Sequence, residues 1–146
     1  MKFLVVVSLC FLSQASLANS LVTTESKYNF SKTVELLKAK ILDKKFSIFS
    51  EIDHQKGATK VNLDLKKNTL IIFGNPKGGT PLMQENSLMG IELPLKLLIT
   101  EETGKIVKVS FKDPRPYAKE YGLKKNEARL EKIFGALKGI SKTVSR

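Results

Sequence analysis

Residues 74–81 bring together Gly74, Asn75, Pro76, Lys77, Gly78, Gly79, Thr80 and Pro81, a set suited to holding an anion. With Thr80 as cap and Pro81 at the first helical position, residues 81–86 read as a helix start. The backbone N–H groups of a glycine turn and of a helix start point outward together, so a small anionic ligand (phosphate, carboxylate or sulfate) has donors to meet there, and Lys77 adds charge. Nucleotide hydrolysis does not fit. In the nucleotide-binding loop lysine follows the last glycine and Ser or Thr follows lysine, whereas Lys77 precedes Gly78 and Gly79. A tight turn in which the glycines relieve backbone torsion explains the same residues without a ligand.

His54 is the sole histidine and directly follows Asp53. An acid beside it can orient the imidazole as a proton carrier, which makes an enzyme using His54 as acid or base beside the 74–80 turn one reading. No nucleophile or oxyanion hole accompanies it, so a Ser-His-Asp arrangement is not assembled, and a turn histidine bonded to backbone is the plain alternative. His54 with Met83 and Met89 offers one imidazole and two thioethers, a donor set for copper or haem, although methionine more commonly fills gaps in a core. The acids Glu85, Glu92, Glu101, Glu102 and Asp113 form no recognisable catalytic pair, and Glu101 and Glu102 read as a solvated hairpin tip. Asn75, Gln84 and Glu92 share a cleft with His54 if the glycine turn lies beside the end of the strand carrying His54.

The surrounding elements follow from hydrophobic period. Residues 21–27 suit a first strand; Ser31 is placed to cap a helix reaching residue 45, with Val34, Leu37 and Ile41 on one face. Phe46 then opens a strand with Phe46, Ile48 and Ile52 on one face and Ser47, Phe49 and Glu51 on the other. Residues 57–66 suit a helical turn followed by an extended connection. The apolar run 70–73, ended by Gly74, reads as a central strand, and residues 95–100 and 106–111 as a hairpin joined by five residues with Gly104 in the turn. In the second hairpin strand Val107, Val109 and Phe111 point one way while Lys108 and Ser110 point the other, which leaves one sheet face toward water. Residues 117–121 suit a helical turn ended by Gly122. The clearest helix follows Asn126 as cap, with Leu130, Ile133, Phe134, Leu137 and Ile140 on one stripe, and with Gly135 and Gly139 permitting close backbone approach. Strand, long helix, strand meander and closing helix make an α+β two-layer sandwich, an antiparallel sheet with helices packed on one face.

Composition narrows the function classes. Lys2, the apolar run 3–12 and the small-residue site Ser16, Leu17, Ala18 read as an export signal cleaved near Ala18, giving a periplasmic or secreted protein with 19–146 as a single domain. The apolar run is about half the roughly 20 residues a membrane helix needs, and no later segment is long enough, so no transmembrane segment is expected. The only cysteine, Cys10, lies in that signal; without it disulfides, thiol catalysis and cysteine-held metal are excluded. The net charge of +11 is nearly all lysine, with Arg115, Arg129 and Arg146 the arginines. Scattered lysines without interleaved aromatics argue against nucleic acid and allow weak contact with an anionic envelope surface.

The run 70–84, preceded by Ile52, Asp53 and His54 and followed by Ile91, Glu92, Leu93, Pro94, Leu95 and Lys96, resembles the bacterial domain-of-unknown-function 302 family. The resemblance spans roughly residues 54–141, and residues 74–83 are its most specific part. It implies a TATA-binding-protein-like fold of β-α-β(4)-α order and pairing as a homodimer. It assigns no activity, and the fold name carries no implication of DNA. The sequence thus points to an exported domain that binds a small ligand or partner through His54, Asn75, Lys77, Gly78, Gly79, Thr80 and Met83, with enzymatic action the lesser reading. A self-associating envelope protein, meeting its copy through residues 88–91 and an edge strand, is the third.

Overall fold

A computed structural model describes residues 21–145; the expected signal 1–18, Cys10 and Arg146 lie outside the described residues. Five strands, β1 (Leu21–Ser26), β2 (Ser47–Asp53), β3 (Asn68–Gly74), β4 (Leu95–Glu101) and β5 (Val107–Lys112), form one sheet in the order β1-β5-β4-β3-β2. Every neighbouring pair is antiparallel. The first helix, α1 (Phe30–Asp43), must therefore carry the chain from one edge of the sheet to the other. Its 14 residues give about 21 Å of length, close to the roughly 19 Å that four strand spacings occupy. The remaining helices are α2 (His54–Lys60), α3 (Pro76–Glu85), α4 (Tyr117–Glu120) and the closing α5 (Glu127–Ser141). This is the expected α+β architecture with long helices on one face.

The period-two pattern sets the inner face. Thr69, Ile71 and Phe73 of β3, Leu97 and Ile99 of β4, and Val107, Val109 and Phe111 of β5 are buried. They meet Phe30, Leu37 and Ile41 of α1 and Leu137 and Ile140 of α5 in one core. A smaller core joins α3, α4 and α5 through Leu82, Met89, Tyr117, Leu123 and Leu130. The alternate residues Lys96, Lys108 and Ser110 lie on the outer face. At the β1 edge the Lys27 N–H donates to the Val144 carbonyl at 2.9 Å, and Ser26 bridges to Ser145, so the end of the chain meets the last residue of β1.

Four local expectations are corrected. A bulge between Ile48 and Ser50 breaks the β2 alternation: Ile48 pairs with the inward Phe73 and packs on the core, whereas Ile52 pairs with Leu70 on the outer face. Asn29, not Ser31, caps α1, its side chain accepting from the Lys32 N–H at 2.9 Å, which makes Phe30 the first buried helical residue. Asn126 precedes α5 without a side-chain cap bond, because its amide is committed elsewhere. Gly135 and Gly139 do not mediate close backbone approach: a Cβ on Gly135 would meet nothing within 4 Å, and one on Gly139 would meet the Lys44 side chain at 3.5 Å.

Replacing the fully buried Leu97 with Ala is expected to cost about 2–5 kcal/mol in urea unfolding, since it empties the centre of the inner face. The exposed Ile106→Ser change should stay within about 0.5 kcal/mol.

Candidate functional site

The residues expected to form a glycine turn are helical. Asn75 is the N-cap of α3: its side-chain oxygen accepts from the Lys77 N–H at 3.0 Å, and Pro76, with φ preset and no N–H to satisfy, starts the helix. Thr80 therefore is not a cap, and Pro81 sits inside the helix. The first-turn donors are all spent: Pro76 has none, Lys77 gives its N–H to the Asn75 side chain, and Gly78 and Gly79 give theirs to the Asn75 carbonyl at 2.9 and 3.1 Å. The anion reading is corrected on this ground, since no N–H of this turn is left to point at an anion.

Pro81 cannot donate to the Lys77 carbonyl four residues back. Arg129 of α5 fills that place, its Nη1 donating to the Lys77 oxygen at 3.4 Å while its Nε donates to Asn126 Oδ1 at 3.0 Å. Asn126 Nδ2 in turn reaches the Pro81 carbonyl at 3.2 Å and Glu85 Oε2 at 2.7 Å, and Glu85 Oε1 accepts the Lys125 N–H at 2.8 Å. The Lys125 amide and then the Asn126 amide hold the Glu85 carboxyl below its usual range. The irregular helix α3 is thereby fastened to the start of α5. At its other end the Asn75 amide donates to the Lys45 carbonyl at 3.1 Å, which fixes α3 to the turn before β2.

Between these fastenings lies a groove of about 230 Å3. The α3 residues Gly78, Gly79, Thr80 and Met83 form one side; Leu93, Pro94 and Leu95 form the other, across a cis Leu93–Pro94 peptide bond. Phe46 and Phe49, at the end of the sheet where β2 begins, and Ile133 of α5 complete it. Gly79 lets α3 approach this wall: a Cβ there would come 3.2 Å from Leu93 Cδ1. No lining residue is titratable, and both ends of the Asn75 side chain are occupied, so the Thr80 hydroxyl is the polar side-chain group left for a ligand.

The segment that walls the groove also borders a second cavity of about 180 Å3, where β4 and β5 part company. The β4–β5 ladder joins Leu98–Glu101 to Val107–Ser110 and goes no further, although β3 stays paired with β4 as far as Leu95. Glu92 stands at this parting and accepts from Tyr117 Oη at 2.6 Å, Tyr121 Oη at 3.1 Å and Lys112 Nζ at 3.2 Å. Partial burial pushes its carboxyl up, but the bonds from Tyr117, Lys112 and Tyr121 outweigh burial and leave it below the usual range. Burial first, then the Glu92 bond, pushes the Tyr117 hydroxyl far above its ordinary value.

Asn75, Gly78, Gly79, Thr80 and Met83 thus meet in one groove, while His54 and Lys77 do not line it. His54 begins α2 beyond the far end of β2: Ser47 pairs with Gly74 at the groove, and Asp53 pairs with Thr69 about 20 Å along the strand. Asp53 does not orient His54 either, because its carboxylate caps α2 through the Lys56 N–H at 2.8 Å. The copper or haem set is likewise divided, with Met89 buried in the smaller core, Met83 in the groove and His54 at the opposite end. No group of three or more His, Cys, Asp or Glu suited to a metal occurs among the described residues. Glu92 belongs to the second cavity, and Gln84 lines neither. The aromatic and aliphatic walls escape sequence reading because they come from four elements; the one available signal is Pro94 set between Leu93 and Leu95.

Because the folded Glu92 carboxyl lies below its unfolded value, its contribution is fully present above the unfolded value, near 4.5, and is lost as pH falls through the folded one. Urea unfolding at pH 7 and pH 3 should show a smaller pH-dependent loss in Glu92→Gln than in wild type; equal losses would remove Glu92 from the account.

Comparison with known proteins agrees with this fold. A crystal structure of an uncharacterised conserved DUF302 protein from Bacillus stearothermophilus superposes with a TM-score of 0.79, covering 87% of this chain and 99% of that one at 19% identity, a likeness of fold. Curated relatives named fluoride-specific ion channel FluC 1, from Brucella suis and Brucella abortus, are each 37% identical over 110 residues, or 75% of this chain. The chain spans 43% and 41% of those relatives' own lengths. The model of the family described as domain of unknown function DUF302 matches residues 22–140, and the chain belongs to that family.

Proposed function

We propose that this domain binds a small, neutral, largely apolar molecule in the groove between α3 and the Leu93–Leu95 wall. The observation that carries the reading is the lining itself: two phenylalanines, three aliphatics, a methionine and bare glycine backbone surround a groove of about 230 Å3 with no charged group. A dry apolar cavity of about 150 Å3 is large enough for benzene, so this volume suits one ring or two fused rings, and the Thr80 hydroxyl offers a single hydrogen bond. The absence of a titratable lining group assigns no acid–base step to the groove, and binding without turnover is the reading adopted. Fluoride conduction is named for proteins of which the match covers less than half, and it is not carried over. No helix among the described residues is long and apolar enough to cross a membrane.

Export belongs to the same proposal and rests on residues 1–18, so the chain recovered from the cell envelope should have a mass beginning at Asn19. Pairing with a second copy is proposed through Leu88 and Ile91, both well exposed beside the groove. Sedimentation velocity of Ile91→Ser against wild type checks it, and a monomer in both would dismiss it.

Titration of 2-naphthol, followed by the amide signals of Gly78 and Gly79, tests the groove. Gly78 lines the groove and a Cβ on it meets nothing within 4 Å, so a leucine there starts in open space at the groove, and Gly78→Ala is the folding control. Saturable shifts at these amides, weakened about tenfold or more in Gly78→Leu, are expected. Shifts confined to other parts of the chain, or unchanged affinity in Gly78→Leu, would overturn the assignment.

A further inference from the structure

The end of the sheet opposite the groove carries a feature that the fold does not use. After α2 the chain runs from Val61 to Lys67 without regular secondary structure, and in this stretch Val61, Leu63 and Leu65 are 64%, 67% and 38% exposed. Three large aliphatic side chains within five residues, all turned to solvent, form a cluster rather than the scattered exposure found on any surface. Neither core includes them.

Lysines surround the cluster. Lys56 and Lys60 of α2 lie exposed before it and make no ion pair among the described residues. Lys66 and Lys67 follow it; Lys66 Nζ donates to Thr103 Oγ1 at 2.7 Å, and Lys67 lies 3.6 Å from Glu101. The nearby acids are partly committed: Asp53 caps α2, Glu101 faces Lys67, Glu102 accepts from Thr100 at 3.3 Å, and Asp64 is exposed between the two leucines. With Lys105, in the turn whose Thr103 accepts from Lys66, five lysines stand at this end against those four acids, in a chain of net charge +11.

We infer that this apolar tip docks on an anionic lipid surface. Aliphatic side chains enter the boundary between headgroups and acyl chains, while the lysines beside them meet the lipid charge, each worth little alone and more together. A second copy of the same tip would set lysines against lysines. A polyanion without an apolar layer would leave Val61, Leu63 and Leu65 in water. The tip stands on a rigid base, because α2 is capped by Asp53 and β3 lies inside the sheet, so insertion orders little chain. The groove, about 20 Å away along β2, then lies at the end of the sheet away from the membrane.

The test is co-sedimentation of the whole chain with vesicles of phosphatidylcholine and phosphatidylglycerol, or of phosphatidylcholine alone, at low and high salt. Wild type, Val61→Ser/Leu63→Ser and, as a control at an exposed leucine away from the tip, Leu42→Ser are prepared with the same N-terminus, so that any contribution of residues 1–20 cancels. Expected are salt-sensitive pelleting with the anionic vesicles, an about tenfold lower partition coefficient for Val61→Ser/Leu63→Ser, and unchanged partition for Leu42→Ser. Wild type remaining in the supernatant at low salt, equal partition on neutral vesicles, or equal partition of Val61→Ser/Leu63→Ser would each overturn the inference. Val61 and Leu63 are exposed, so matching circular dichroism and melting of the variants are expected, and a variant that unfolds is replaced by Lys56→Glu/Lys60→Glu, for which the same loss is required.

Discussion

The fold turns on a crossing. Because β1 and β2 occupy opposite edges of the sheet, α1 must traverse the inner face, and three strands then have to fill the space between edges that it has set apart. The links that do this carry α2 between β2 and β3 and α3 between β3 and β4, only the β4–β5 link being short, and each added strand lays an alternate set of apolar residues beneath the helix. Leu37 and Ile41 are fully buried because they sit at the centre of that crossing, over Ile71 and Leu97. A single covered face follows, and with it the division between apolar inner positions and lysine-bearing outer ones.

Much of this was legible in the residues. The strands at 70–73, 95–100 and 106–111 announce themselves by apolar runs and alternation, the closing helix by its stripe, and the α+β arrangement by their order. What escaped were places where one polar side chain decides between neighbouring alternatives. Asn29 and Ser31 both qualify as caps, and only the burial of Phe30 selects the first. Asn75 and Thr80 both precede a proline; the helix begins at the earlier one because Asn75 can also hold the Lys45 carbonyl, a partner thirty residues away that no local pattern reveals. The β2 bulge defeats strict alternation for a related reason: period two presumes a regular ladder, and Ile48 and Ile52 lie on either side of a break in it.

The groove is legible only in part because its polar half lies in one segment and its apolar half in four. Glycines and Pro81 in α3 look like the parts of an anion-binding loop, yet once the helix forms they serve another end. The glycines bring a backbone surface against Leu93, and Pro81 leaves a carbonyl that ties α3 to Arg129. A helix with two adjacent glycines and an internal proline has poor intrinsic stability. Its bonds to Lys45, Lys125, Asn126 and Arg129 supply from outside what its own ladder lacks.

The two margins of the sheet are blunted in different ways. At the last residue of β1 the end of the chain meets the strand, with Val144 taking the Lys27 N–H and Ser145 bridging to Ser26. Along β2 the bulge at Phe49 bends the strand and breaks the even spacing of its free N–H and C=O groups. A straight, unguarded margin is a template on which other chains can add strands and grow fibrils. With one margin closed at its end and the other bent, a protein with a largely uncovered outer face and several exposed aliphatics presents shorter hydrogen-bonding edges to its neighbours.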